Sequence, residues 1–466
     1  DLQCRHALSE PKTISCKPSF CLFVTYCDFL RPLMTDQPKT LQSACQLIRD
    51  RQLRPIDLLE HCLDRIAELD PEIQAWAEVD ADGARQAATE SEELLRKGNW
   101  LGPLHGIPVG VKDIIDVAGL PTRAGSPMRQ DHVAEQDAPI VTRLRELGAV
   151  ILGKTVTTQF ACFDPAPTLN PHDHERTPGG SSSGSAAALA VGMCYAALGT
   201  QTGGSIIRPA AYCGVAGLKP TYGAISVEGV VPVSFHLDHV GPLAFNASDL
   251  WIIWNALSGS CDLDQLRALQ QEPPLPRLAI PETYFHDHLH AAIRPQFQSL
   301  VAHLTVSGAD FLHSPLPPSF QQVHAMHRRI MAVEAAEYHR DAFARDPSSF
   351  APNVAGLIED GLELAAVDYA EALKHKCRFV NELRDCFEDD ETIWLTPSAP
   401  GPVPKRETTG DPAFNSPWTY AGLPSLTVPC GTSDDGLPLG LQLIARPGCE
   451  ATLLHAALWC ERVVPH

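Results

Sequence analysis

The chain has 466 residues, 44% hydrophobic and 20% charged, a balance that excludes a wholly disordered chain and a coiled coil. Lys and Arg number 36 against 56 Asp and Glu, so the formal net charge is −20, and neither nucleic acid nor an anionic membrane surface is an expected partner, since both require a basic face. The 15 cysteines are scattered, with no C-x-x-C pair; they read as reduced thiols packed as small hydrophobes in a cytoplasmic protein.

Residues 1–33 hold Cys4, Cys16, Cys21 and Cys27 and no amphipathic pattern. The apolar run Ser19–Cys27 follows Lys12 and Lys17, as a signal-peptide core does. Asp28, Arg31 and Pro32 come next, however, and not a small-x-small cleavage site. Met34 opens the part that makes structural sense, so residues 1–33 are expected to be a disordered or non-native extension, with one domain over 34–466.

From Thr40 to Leu69 apolar residues recur at helical spacing, and Pro55 and Asp57 mark a second helix start. Ala75–Val79 reads as a short strand and Ala84–Leu95 as an amphipathic helix. Gly106–Ile115 is a β-branched run, read as a buried strand and its exit. Ile140–Leu147 reads as a helix, followed by the strand Ala149–Leu152. This alternation argues for an α/β layer structure with a mixed or parallel sheet. Beyond a Pro-rich connection at 273–276, residues 285–390 read as several long helices. Strands return at Thr392–Leu395, Ser425–Pro429 and Leu437–Ile444, and Ala451–Val463 closes the chain as a helix. No stretch reaches 18 consecutive apolar residues, so no membrane-spanning helix is expected.

The centre is rich in Gly, Ser and Ala. Thr177–Ala188 reads TPGGSSSGSAAA, and Gly203-Gly204-Ser205 follows within GTQTGGSIIRPAA. A flexible linker has this composition too, but a linker does not run into a helix-forming segment, Ser185–Val191, and a strand, Tyr195–Gly199. Glycines beside a serine let backbone N–H groups approach a substrate oxygen. Acyl transfer needs that: a nucleophile, and donors aimed at a developing oxyanion. Gly180-x-Ser182-x-Gly184 also fits a nucleophile elbow, which requires a strand immediately before the serine. The polar Asn170–Pro178, with Pro171 and Pro178, supplies none.

A serine nucleophile needs a base. His172–His174 and His286–His290 are clustered but lack a recognised metal-ligand spacing, and read as solvated surface. Lys112 is the better base. It is a lone cation in the apolar Ile107–Ile115, where burial without a counter-ion makes lysine deprotonatable. A pair with Asp113 or Asp116 is the bland alternative.

GIPVGVKD around Lys112, TPGGSSSGSAAA, GTQTGGSIIRPAAYCGVAGLKPTYG, GLPSLTVPCG at 422–431 and GLPLGLQLIA at 436–445 together resemble the amidase signature family, over about residues 38–463. The resemblance implies a single large α/β domain, with a central mixed, mostly parallel sheet covered by helices on both faces and a helical insertion around 285–390. It implies a Ser–cis-Ser–Lys triad in which Ser205 is the nucleophile. Ser181, after a cis peptide bond from Gly180, is the bridging serine, and Lys112 is the general base. It further implies an oxyanion hole of backbone N–H groups from Thr202, Gly203, Gly204 and Ser205, with Ser182 supporting the triad by hydrogen bonds.

Two departures stand out. A common family form, T-D-x-G-G-S-I-R, has an acid where this chain has Gln201, and its arginine is displaced here to Arg208. The two changes are expected to belong together, as a neutral hydrogen-bond network behind the loop, because either alone buries an unpaired charge. Ser183 stands where glycine is usual.

The expected activity is hydrolysis of a carboxylic amide to acid plus ammonia or amine through a serine acyl-enzyme. The alternative is the A subunit of glutamyl-tRNA(Gln) amidotransferase, which liberates ammonia from glutamine within a complex. Ala224 and Val227 stand where that protein carries arginines, which favours the independent amidase. A catalytically dead scaffold is disfavoured because Lys112, Ser181 and Ser205 are all present. No cofactor and no metal is implied, since these residues supply base, nucleophile and donors. The expected partner is a small-molecule amide; a homodimer and the other amidotransferase subunits are left open. Phe414, Trp418 and Tyr420 are candidates for an apolar pocket, with core aromatics the equal alternative. No basic cluster points to a carboxylate- or phosphate-bearing substrate.

Overall fold

Thr40 caps the helix Leu41–Arg49 through a reciprocal pair with Ser43: each residue's hydroxyl accepts the other's backbone N–H. Pro55 opens the helix Pro55–Ile73, where the sequence punctuation predicts a second start. In this computed structural model the described residues are 38–259, 269, 271–281 and 283–464. The expectation for residues 1–33 falls outside them.

An 11-stranded sheet runs through the described part. Its strands are β1 (Trp76–Val79), β2 (Pro108–Lys112), β3 (Val150–Thr155), β4 (Ala196–Gln201), β5 (Ala216–Lys219), β6 (His239–Ala244), β7 (Arg277–Pro281), β8 (Phe311–Ser314), β9 (Thr392–Pro397), β10 (Ser425–Thr432) and β11 (Pro438–Ile444). Their spatial order is β1-β3-β2-β4-β6-β5-β10-β11-β9-β7-β8. The sheet is mixed, but it is not mostly parallel. Parallel pairs occur only where β2 meets β3 and β4 and where β7 meets β8 and β9. The other pairs are antiparallel. Parallel neighbours need a crossover, whereas the turn around Gly436 folds β11 straight back on β10.

β5 and β6 escape a sequence reading because AGLK lacks β-branched residues and HVGPLA carries Gly and Pro, which argue against a central strand. Both are fully buried, and tertiary pairing overrides the local preference. The stretch read as helices alone also contains β8, a short, partly exposed strand with no clear alternation. The helices Arg294–Val306, Val323–Arg345, Pro352–Glu363 and Ala366–Cys386 occupy most of the rest. Helices Ile207–Cys213 and Glu450–Val463 both pack on β10 and β11. Among the described residues no helix is long and apolar enough to cross a membrane.

Candidate active site

β2 and β4 are parallel neighbours, with Val111 opposite Leu198, so the two strands end side by side. Lys112 is the last residue of β2 and Gln201 the last of β4. Side chains leave a strand alternately on opposite faces. Asp113 therefore meets Lys154, at 3.1 Å, and Lys112 turns the other way. Its Nζ lies 2.7 Å from Ser181 Oγ and 2.8 Å from Thr200 Oγ1. Lys112 is 0% exposed, and among the described residues no carboxylate lies within ion-pair distance of it. Burial holds its pKa well below the ordinary lysine value, and the negative field of Asp238 opposes this only in part.

Ser181 follows a cis peptide bond from Gly180. Ser182 ties three segments together: its N–H donates to the Ser205 carbonyl at 3.3 Å, and its hydroxyl exchanges bonds with the Thr200 carbonyl and N–H, both at 3.3 Å. Gly199 is required beside it, since a Cβ there would sit 2.8 Å from Ser182 Oγ. The segment before Ser182 is not a strand, and the helix Ser183–Ala190 begins directly after it, so the nucleophile-elbow context is absent.

Residues 202–205 link β4 to the helix Ile207–Cys213. Gln201 fastens this loop without a charge. Its Oε1 accepts the N–H groups of Ile206 (2.8 Å) and Ile207 (3.0 Å), and its Nε2 donates to Thr419 Oγ1 at 3.0 Å. Thr419 Oγ1 donates to the Gly203 carbonyl at 2.7 Å, and His327 Nε2 donates to the Thr202 carbonyl at 2.8 Å. Burial lowers the His327 pKa to about 4, so the ring is neutral. Among the described residues the N–H groups of Thr202, Gly203, Gly204 and Ser205 have no protein acceptor.

The expected neutral network is therefore present at Gln201, yet Arg208 remains a buried cation. It is 5% exposed, and its Nη2 donates to the Gly180 carbonyl at 2.7 Å and to Thr409 Oγ1 at 3.3 Å. Among the described residues its Nε and Nη1 have no partner, and no carboxylate is within ion-pair distance. The arginine holds the turn before Ser181 in place, and burial lowers its pKa against the field of Asp411, which acts on it without a direct ion pair among the described residues.

Ser181 and Ser205 open on one cavity of about 430 Å³. Cys162, Phe163, Val233 and Met331 give it apolar wall, and His324, His327, Arg328 and Asp411 a polar one. Burial raises the Cys162 thiol to about 12, so it is a neutral wall residue. Phe414, Trp418 and Tyr420 are not pocket residues. All three are 0% exposed in the core, where Trp418 stacks on Phe285 and Tyr420 donates to the Ala372 carbonyl. Sequence reasoning missed the contribution of the helix Val323–Arg345, although a signal was there. His324, His327, Arg328 and Met331 follow the i, i+3, i+4, i+7 spacing of one helix face, and all four line the cavity. The clustered histidines lie elsewhere: His172 bonds the Cys213 carbonyl, and His286 and His288 are exposed.

A family profile described as Amidase matches residues 57–454. The A subunit of a glutamyl-tRNA(Gln) amidotransferase from Chloroflexus aggregans is 33% identical over 91% of this chain and 96% of its own length. An amidase of Pseudomonas putida is 34% identical over 91% of this chain and 95% of its own. A crystal structure of an amidase superimposes with a TM-score of 0.82 at 32% identity, covering 91% of this chain and 100% of the other.

Proposed function

This chain belongs to the amidase signature family of amidohydrolases, and on that premise we propose that it cleaves a carboxylic amide through an acyl-enzyme on Ser205, with residues 34–466 as its catalytic domain. The carrying observation is the 2.7 Å contact between Ser181 Oγ and a buried Lys112 that has no carboxylate partner among the described residues. A neutral Lys112 donates to Thr200 Oγ1 and offers its lone pair to the Ser181 hydroxyl. As Ser181 gives up its proton to Lys112 it takes the proton of Ser205, whose Oγ then bonds to the amide carbon. The carbonyl π electrons move onto oxygen, facing the unpaired N–H groups of residues 202–205. Collapse of this intermediate breaks the C–N bond, and the leaving nitrogen receives a proton back through Ser181. Water then attacks the ester, with the same base taking its proton, and releases the acid.

A second reading, the A subunit of a glutamyl-tRNA(Gln) amidotransferase, draws on the 33% identity to such a protein. Ala224 and Val227 weigh against it. The test is ammonia release by the purified chain alone, on small aliphatic and aryl amides plus glutamine and asparagine, with S205A alongside. Serine-dependent turnover of a simple amide supports the independent amidase. Glutamine cleavage that begins only when partner subunits are added supports the second reading.

A further inference from the structure

The loop that carries residues 202–205 has no acid at position 201, yet a buried carboxylate reaches it from the neighbouring strand. Asp238 sits directly before β6 and is 8% exposed. Its Oδ1 accepts the Thr202 hydroxyl at 2.5 Å, and its Oδ2 accepts the N–H groups of Val233 (2.8 Å) and Ser234 (3.0 Å). Thr202 is thus gripped twice, at its hydroxyl by Asp238 and at its carbonyl by His327. Val233, held by the same carboxylate, forms part of the cavity wall.

The grip is anchored outward as well. Ser234 Oγ donates to Glu334 on the helix Val323–Arg345, and Glu334 also accepts the Tyr369 hydroxyl at 2.7 Å and the His236 N–H at 3.1 Å. Among the described residues no Lys or Arg forms an ion pair with Asp238. The cation it does act on is Lys112: of the charges around that amine, Asp238 pulls hardest toward protonation.

We propose that Asp238 is a positioning residue that sets the loop carrying the oxyanion donors through its hydrogen bond to Thr202. The inference rests on the catalytic reading of Ser205 and Lys112 given above. An acid acting from β6 does what Gln201 cannot: it supplies charge to the site while the Gln201 network stays neutral.

The groups facing Lys112 are Asp238, the Cys162 thiol and the hydroxyls of Ser181 and Thr200. Those facing Asp238 are Lys112, Thr202, Glu334, Tyr222 and Cys162. Burial raises the Asp238 carboxyl to about 6, against the pull of its hydrogen bonds. Acidification through that value removes its charge.

The test uses the full chain and a serine-directed fluorophosphonate, so the amide substrate need not be known. Ser205 Oγ bonds to phosphorus, fluoride leaves, and the serine proton passes to the base. The readout is the rate of labelling at Ser205 against pH. D238N is expected to label about tenfold or more slowly at its optimum. T202V should slow labelling, and T202S should recover most of the loss. A wild-type labelling rate in D238N, or a T202S variant that recovers no more of the rate than T202V, overturns the proposal. Should D238N not fold, equal rates for T202V and wild type overturn it instead. Wild-type protein that is not labelled at Ser205 sinks the catalytic reading itself, which is a separable result.

Discussion

Asp113 and Lys154 form a buried ion pair at 3.1 Å, and that pair leaves Lys112, one residue earlier in the chain, to the serines. Adjacent side chains at a strand end point to opposite faces, so one Lys–Asp dipeptide serves two separate sites. The pair is also well satisfied: Asp113 accepts the Arg123 N–H, and Lys154 Nζ donates to the Pro121 carbonyl at 2.9 Å.

Breaking that pair on one side should be costly. K154M leaves a carboxylate almost wholly buried without its cation, which typically costs about 3–5 kcal/mol. The double variant K154M/D113L removes both charges and should recover much of the loss. Chemical denaturation of the two variants measures this; a double variant no more stable than K154M would refute the pairing argument.

Lys112 must be neutral to accept a proton. Its depressed pKa therefore sets an acid limb, with kcat/KM rising through a value well below the ordinary lysine pKa. A lysine whose folded pKa is lowered binds its proton more readily when unfolded. Its burial thus costs stability below the unfolded value, increasingly so as pH falls toward the folded one. K112M should lose a factor of about 10²–10⁴ in rate, the usual reach of a general base. It should keep or raise the melting temperature at neutral pH, and a fall of several degrees would contradict this account.

Gln201 uses both ends of its amide. Q201E keeps the length and the acceptor but loses the donor to Thr419, and it buries a carboxylate beside the Thr419 hydroxyl. A loss of about 1–3 kcal/mol in stability is expected. Q201D, one methylene shorter, should also give up the bonds to Ile206 and Ile207 and lose rate. Wild-type melting and turnover in both variants would show that the neutral network does not matter.

Core and cavity residues should separate in kinetics. W418F disturbs the stack on Phe285 and should lower the melting temperature while leaving KM for any turned-over amide nearly unchanged. M331A enlarges the cavity and should change kcat/KM between acyl chains that differ by one methylene by about tenfold or more. A KM that moves with W418F and not with M331A would assign the wall to the wrong residues.

The sequence alone determined the candidate chemistry. Lys112 in an apolar run and two Gly-Gly-Ser segments pointed to a lysine base, a serine nucleophile and backbone donors, and the resemblance to the amidase signature family added which serine takes which role. The α/β class and the early helices were legible too, since periodicity and caps are local signals. Tertiary structure decided the rest. β5 and β6 exist because their neighbours pair with them, against the preference of Pro242 and the glycines. Trp418 and Tyr420 went to the core, and His327 and Met331 to the cavity, because a helix face acquires a role only when packed against something. Which carboxylate belongs to which lysine was likewise invisible along the chain. Ion pairs are set by distance across the fold: Asp113 lies next to Lys112 in the chain and pairs with Lys154, while the field of Asp238, far along the chain, acts on Lys112 against its burial.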